Sequence, residues 1–270
     1  MPSRIHPPLA DRRHLLLVGV LLALTASMVE AQLVVYDDFS SARLDQTRWV
    51  GRQLVSTGAG TGSLLEIQRE VTNAQVLMLQ TRVVSSKGLE PAPYSVENAL
   101  MFHDSNALNE IMFDVVVRRV DVSGCTAGPA AEASARGVFP LFNDGLGDVV
   151  AIVGVTRSSA SSAPPGELDV AASLVYRTDA GDTLLGYLAL GSTTVGRSVR
   201  LRTRWEATRN RVRFQRDAEP LVSIEYTNPM IAGPGRPRKH LAAVGTVSDC
   251  SSGAASAAVV AAIDNVRVNP

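Results

Sequence analysis

Apolar and polar side chains alternate along most of the chain with a period of two, and no segment keeps a helical period for three turns. Leu77, Leu79, Thr81 and Val83 fall on one side of QVLMLQTRVV. Ile111, Phe113, Val115 and Val117 fall opposite Glu110, Met112, Asp114 and Arg118. Leu168, Val170, Ala172, Leu174 and Tyr176 alternate with Glu167, Asp169, Ala171, Ser173 and Arg177. Val199, Leu201, Thr203 and Trp205 alternate with Arg200, Arg202, Arg204 and Glu206, and Val212 and Phe214 follow the turn-like Thr208-Arg209-Asn210. Val149 to Val155 is a near-continuous apolar run. These patterns predict half-buried antiparallel strands. Turn signals at Asn73-Ala74, Asn143-Asp144-Gly145, Ala180-Gly181-Asp182 and Gly233-Pro234-Gly235 separate them at the intervals of an all-β sandwich. The alanine-rich run Ala254 to Ala262 has helical propensity, but it leads into strand-like Ile263 to Val268, so its end predicts strand. Ser158 to Pro165, SSASSAPP, reads as a polar loop within one domain, because strands of similar character flank it.

The first 31 residues have the parts of a secretory leader: Arg4, Arg12 and Arg13, then the apolar Leu15 to Ala26, then Val29-Glu30-Ala31 as a cleavage site. The apolar stretch is too short for a stable anchor, so the mature chain, Gln32 to Pro270, is expected to be exported and unanchored. The Arg12-Arg13 pair leaves both the general and the twin-arginine export routes open. The full chain balances 26 basic against 26 acidic side chains, and the leader takes three arginines and two acids with it. No global field remains to draw in nucleic acid or an anionic membrane. Cys125 and Cys250 are the two cysteines, and in an oxidising compartment an even pair predicts a disulfide.

Two terminal stretches resemble bacterial concanavalin A-like lectin/glucanase domains. The opening Val34-Val35-Tyr36-Asp37-Asp38-Phe39-Ser40, with Leu44-Asp45 and Trp49, is similar to their "DDF…LD…W" start. The closing Ala262-Ile263-Asp264-Asn265-Val266-Arg267-Val268 is similar to their last strand, which often carries "DNV". The resemblance implies a two-sheet antiparallel β-sandwich, a jelly roll, with the first and last strands adjacent. It brackets the whole mature chain, but the superfamily includes hydrolases, lyases, lectins and adhesion modules, so the fold does not settle function.

It also directs attention to Glu167 and Asp169. Glycosidases of the superfamily carry Glu-x-Asp-x-Glu, or a bulged form, on one strand, with two glutamates as nucleophile and acid/base. Glu167 and Asp169 match, but Ala171 stands at the second glutamate position and Ala172 at the bulged one. Alanine cannot protonate a leaving group. A partner on another strand, such as Glu110 or Asp114, is the remaining catalytic route; otherwise the two acids are part of a solvated face. The arginines at 200, 202 and 204, with Arg211 and Arg213 beside them, either bind an anionic polysaccharide or pair with acids on adjacent strands. Trp49, Trp205 and Tyr176 read as packing residues, leaving Tyr94 as the candidate for stacking on a sugar. Structural Ca²⁺, which some superfamily members hold, would be sought at Asp38 and Asp264; hydrogen bonds from these acids to the backbone are the simpler expectation. The resulting expectation is a non-catalytic module that binds a glycan or another surface partner, with Glu167, Asp169, Arg177 and Tyr94 as ligand-binding candidates. The alternatives are a divergent glycoside hydrolase or polysaccharide lyase, or a structural envelope protein.

Overall fold

The computed structural model describes residues 32–41, 43–55, 64–71, 75–84, 94–105, 108–124, 129–140, 148–178, 181–227, 238–247 and 255–269. Residues 1–31, read above as a secretory leader, and Cys125 and Cys250 lie outside these residues. Apart from the short 3₁₀ turn Ala207–Arg209, every regular element among the described residues is a strand. Sheet I contains β1 (Val34–Asp37), β3 (Leu64–Val71), β4 (Leu77–Val84), β6 (Glu110–Ser123), β11 (Ser198–Glu206), β12 (Arg211–Arg216), β13 (Val222–Glu225) and β15 (Ser256–Val268). Sheet II contains β2 (Trp49–Val55), β5 (Tyr94–Phe102), β7 (Ala130–Pro140), β8 (Asp148–Ser158), β9 (Glu167–Thr178), β10 (Gly181–Thr194) and β14 (Arg238–Val247).

The order is β13-β12-β11-β6-β15-β4-β3 in sheet I, with β1 on the far end of β15, and β10-β9-β8-β7-β14-β5-β2 in sheet II. All pairings are antiparallel, and β1 pairs Val34 with Val268. This is a two-sheet antiparallel β-sandwich with its first and last strands adjacent, as the terminal resemblance implies. The alanine-rich run is strand from Ser256 onward, earlier than its propensity suggests. Ala257, Val259 and Ala261 are buried there between β4 and β6, and tertiary pairing overrides helical preference.

Period two decides what is inside. Leu77, Leu79, Thr81 and Val83 of β4 and Leu168, Val170, Ala172 and Leu174 of β9 are all buried on the inner faces of the sheets, with β4 lying across from β14 and β5. Polar bonds also cross the gap between the sheets: Thr81 Oγ1 donates to the Ala243 carbonyl (2.8 Å) and Asn98 Nδ2 to that of Gln80 (2.9 Å). The opening motif is structural. Asp37 is buried and accepts from Trp49 Nε1 (2.6 Å) and from the Phe39 amide (2.8 Å), while Trp49 stacks on Phe39 and meets Tyr36 edge-on. Trp205 is core, as its alternation predicts.

At the open edge of sheet II, Arg216 of sheet I donates to the carbonyls of Leu190 (2.9 Å) and Ser192 (2.8 Å) in β10. The residue between them is Gly191, at φ +98°, and a Cβ there would sit 2.3 Å from Arg216 Nη1. Only glycine serves at this position. At the end of β6, Ser123 and Ser256 are opposite in register with hydroxyls 2.7 Å apart. Gly124 lies against Ala255.

Candidate functional site

Charged side chains gather on both outer faces, in different ways. On sheet I, Arg200, Arg202 and Arg204 project from β11 beside Arg211 and Arg213 of β12; the hairpin register sets Arg204 against Arg213 and Glu206 against Arg211. Acids on adjacent strands meet them. Arg200 holds Asp114 through Nε (2.7 Å) and Nη2 (3.0 Å), Arg202 bonds Glu110, and Arg211 bonds Glu206. Glu110 and Asp114 are thus on the sheet opposite the one that carries Glu167 and Asp169. The expectation that either completes a catalytic pair with Glu167 is corrected by topology: β6 and β9 belong to different sheets, and these acids are held by arginines of β11.

On sheet II, register aligns three rows across the outer face. One row runs Glu97, Val244, Glu132, Thr156, Asp169, Ser192 from β5 to β10. Two residues away along each strand, or three across the bulge in β10, lies a row of small residues: Ala99, Ala242, Ser134, Gly154, Ala171, Ala189. The third row is Met101, His240, Arg136, Ile152, Ser173, Tyr187. The first and third rows are about 13 Å apart along the strands. Over β5, β14 and β7 their long side chains lean across the small residues and meet. His240 Nε2 lies 2.5 Å from Glu97 Oε1, Arg136 Nη2 donates to Glu132 Oε1 at 2.9 Å, and Arg136 Nη1 lies 3.7 Å from Glu97 Oε2. Ala99, Ala242 and Ser134 beneath are fully buried. Burial works against the Arg136 charge, but Glu132 and Glu97 outweigh it and raise its pKa above the usual arginine value.

Over β8, β9 and β10 no such canopy forms among the described residues. The open half presents Asp169, Ala171 and Ser173, bordered by Tyr187, whose side chain is exposed (57%). Glu167 lies at the start of β9 opposite Thr194, on the same outer side as Asp169. The structure therefore brings Glu167 and Asp169 to one face, with Ala171 in the row of small residues. Tyr94 opens β5 opposite Val247, and Arg177 pairs with Asp148 and Asp182 in register; their side chains lie outside the described residues. Asp38 and Asp264 each accept a neighbouring backbone amide, from Ser40 (3.1 Å) and Asn265 (2.7 Å). Burial is the first cause raising the Asp264 pKa, and nearby Asp114 adds to it. Among the described residues no group of three or more potential ligands is placed to hold a metal ion.

No protein-family model matches the chain, and no curated protein matches it. Solved structures do match. The chain is similar to a laminarinase from Flavobacterium sp. UMI-01, at 11% identity over 88% of this chain and 100% of that one, with a TM-score of 0.47. It is similar to the catalytic domain of an endo-1,3-beta-glucanase (laminarinase) from Thermotoga petrophila RKU-1, at 11% identity over 88% and 96%, TM-score 0.44. A glycoside hydrolase family 16 endo-glucanase from Bacteroides ovatus is a third, at 11% identity over 86% and 98%, TM-score 0.44.

The residues that shape the face, Glu97, Glu132, Arg136, His240 and Tyr187, were not among the sequence candidates. A signal for two of them was present: Glu132, Ser134 and Arg136 are polar at every second position of an otherwise alanine strand, AAEASARG. Tyr187 lies in LLGYLAL, where no polar alternation says which side faces out.

Proposed function

We propose that this protein is an exported, non-catalytic glycan-binding module whose ligand lies across the open half of sheet II. The observation that carries the reading is Tyr187. An exposed aromatic ring borders a shallow strip of small residues, with Asp169 and Ser173 beside it to take hydrogen bonds from sugar hydroxyls. An aromatic ring offers a flat apolar surface to the C–H face of a pyranose, and carboxylate and hydroxyl groups fix its orientation. The neighbouring canopy supports a binding role over a catalytic one, because Glu97 and Glu132 are already engaged by His240 and Arg136. Ala171 lacks the proton that a glycosidase would need on this strand.

The test is calorimetric titration of the mature protein with a panel of neutral soluble glycans, laminarin included. Tyr187→Ala is expected to weaken binding about tenfold with an unchanged melting temperature, since the ring is exposed. Equal binding by the variant, or wild-type cleavage of the glycan that disappears in Glu167→Gln, would overturn the reading.

One observation favours a second reading, a divergent hydrolase. Asp169 and Glu132 share a register row two strands apart, with backbones about 10 Å apart. Carboxylates so placed approach the separation of an inverting pair, about 6.5–9.5 Å. Reducing-end release lost in both Asp169→Asn and Glu132→Gln would establish it.

A further inference from the structure

The outer face of sheet I is not uniformly neutralised. Along β6 and the start of β11 each arginine has its own acid: Arg200 has Asp114 and Arg202 has Glu110. At the β11–β12 hairpin this pairing breaks down. Four guanidinium groups converge on the single carboxylate of Glu206: Arg211 in direct contact, Arg213 at 3.5 Å, Arg209 at 3.6 Å and Arg204 at 3.8 Å. Arg204 also approaches Glu110, at 3.9 Å, but that acid is bonded to Arg202. Glu225, 4.0 Å from Arg211, is largely solvated. Five arginines thus face three acids, and four of the five keep an exposed side. Hydrogen bonding from Arg211 comes first among the causes that hold Glu206 below the usual carboxylate range, with Arg213 and Arg209 adding to it.

From this we propose that the hairpin end of sheet I is a binding site for a polyanionic polysaccharide, one bearing repeated sulfate or carboxylate groups. The site is on the opposite sheet from Tyr187 and does not depend on the glycan reading given above. Guanidinium groups that crowd one carboxylate repel each other, and further anions relieve that repulsion through paired N–H donors that fit sulfate and carboxylate geometry. Arg211 and Arg213 are about 7 Å apart along β12, and Arg209 extends the line through the turn. The donors therefore present an extended row suited to a polymer with several charges. Trp205 and Tyr226, the aromatics nearby, are packed against each other and not offered for stacking on bases, which disfavours single-stranded nucleic acid.

The experiment measures retention of the mature protein on immobilised heparin, with polygalacturonate and duplex DNA as soluble competitors. Wild type is expected to bind at about 50 mM salt and to be released as salt screens the contact. The double variant Arg209→Ala/Arg213→Ala is expected to bind at least tenfold more weakly, with an unchanged melting temperature. Glu206→Gln, which removes the central negative charge, is expected to bind more tightly. Arg82→Ala, four strands away on the same sheet, and Tyr187→Ala are expected to match wild type. The proposal is overturned if wild type is not retained, if the double variant binds normally, or if Arg82→Ala loses as much. It is also overturned if duplex DNA of equal charge competes as well as the polysaccharides do.

Discussion

Arg200 on sheet I and Arg136 on sheet II each hold carboxylates, yet their surroundings differ. Arg200 grips Asp114 directly across two neighbouring strands, and its side chain is nearly half exposed. Arg136 reaches four residues along its own strand to Glu132 and diagonally to Glu97, and keeps only 12% of its side chain exposed. The first arrangement follows from register alone: an arginine and an acid at opposite positions meet in water. The second needs a row of alanine, serine and glycine for the long side chains to lean over. Sheet I therefore joins its charges strand to strand along the register, from the solvated Arg200–Asp114 pair to the arginines gathered on Glu206, while half of sheet II is roofed by a network that leans across a row of small residues. What that roof leaves uncovered is the strip beside Tyr187.

The largest test of this contrast is a pair of substitutions. Arg136→Ala strands two partly buried acids and is expected to cost about 3–5 kcal/mol in denaturant unfolding. Arg200→Ala releases one carboxylate into solvent and is expected to cost under about 1 kcal/mol. Equal losses would erase the distinction between the faces.

A disulfide between Cys125 and Cys250 is expected to contribute next. Cys125 follows β6 of sheet I, and Cys250 lies between β14 of sheet II and β15 of sheet I. Ser123 and Ser256 are opposite in register and Gly124 lies against Ala255, and we propose a disulfide between the two cysteines, which lie outside the described residues. Its reduction is expected to lower stability by about 2–4 kcal/mol, and intact mass without reductant should be two hydrogens lower than with it. Two alkylatable thiols in unreduced native protein would exclude the bond.

A third measurement takes the same contrast to the space between the sheets. Lys239 is buried there, its Nζ donating to the Ser105 carbonyl (2.8 Å), and burial lowers its pKa to about 8. The unfolded chain keeps this proton up to a higher pH than the folded one. Stability should therefore rise with pH between about 8 and 10.5, by on the order of 2–3 kcal/mol, and the cost of burying the charge is fully present below about 8. In Lys239→Met that rise should flatten, and stability at neutral pH should increase. A slope unchanged by the substitution would assign the pH dependence to other groups.

The fold was legible because period two survives in nearly every strand, and because Asp37 and Trp49, whose contact fastens the opening, are both in the recognisable motif. The faces were less so. The alternation of Arg200, Arg202 and Arg204 identifies their side of the sheet, and pairing with acids on adjacent strands was one of the two expectations for them. The network on sheet II joins residues 97, 132, 136 and 240, drawn from three strands, and nothing local says that they share a neighbourhood. Glu167 and Asp169 could be placed on one face from spacing alone. That their neighbours would be alanines, serine and an exposed tyrosine depends on a register that only the folded sheet supplies.

The contact between Arg216 and β10 has a meaning for life in a crowded compartment. From Thr183 to Thr194 this border strand carries no charged side chain, while Leu184 and Leu185 are exposed. Such a border invites a strand from another molecule to continue the ladder and seed aggregation. By taking the carbonyls of Leu190 and Ser192, one guanidinium group borrowed from the other sheet spends two acceptors that a stranger's amides could otherwise use. A residue that looks like one more surface arginine is, in this position, a guard on solubility.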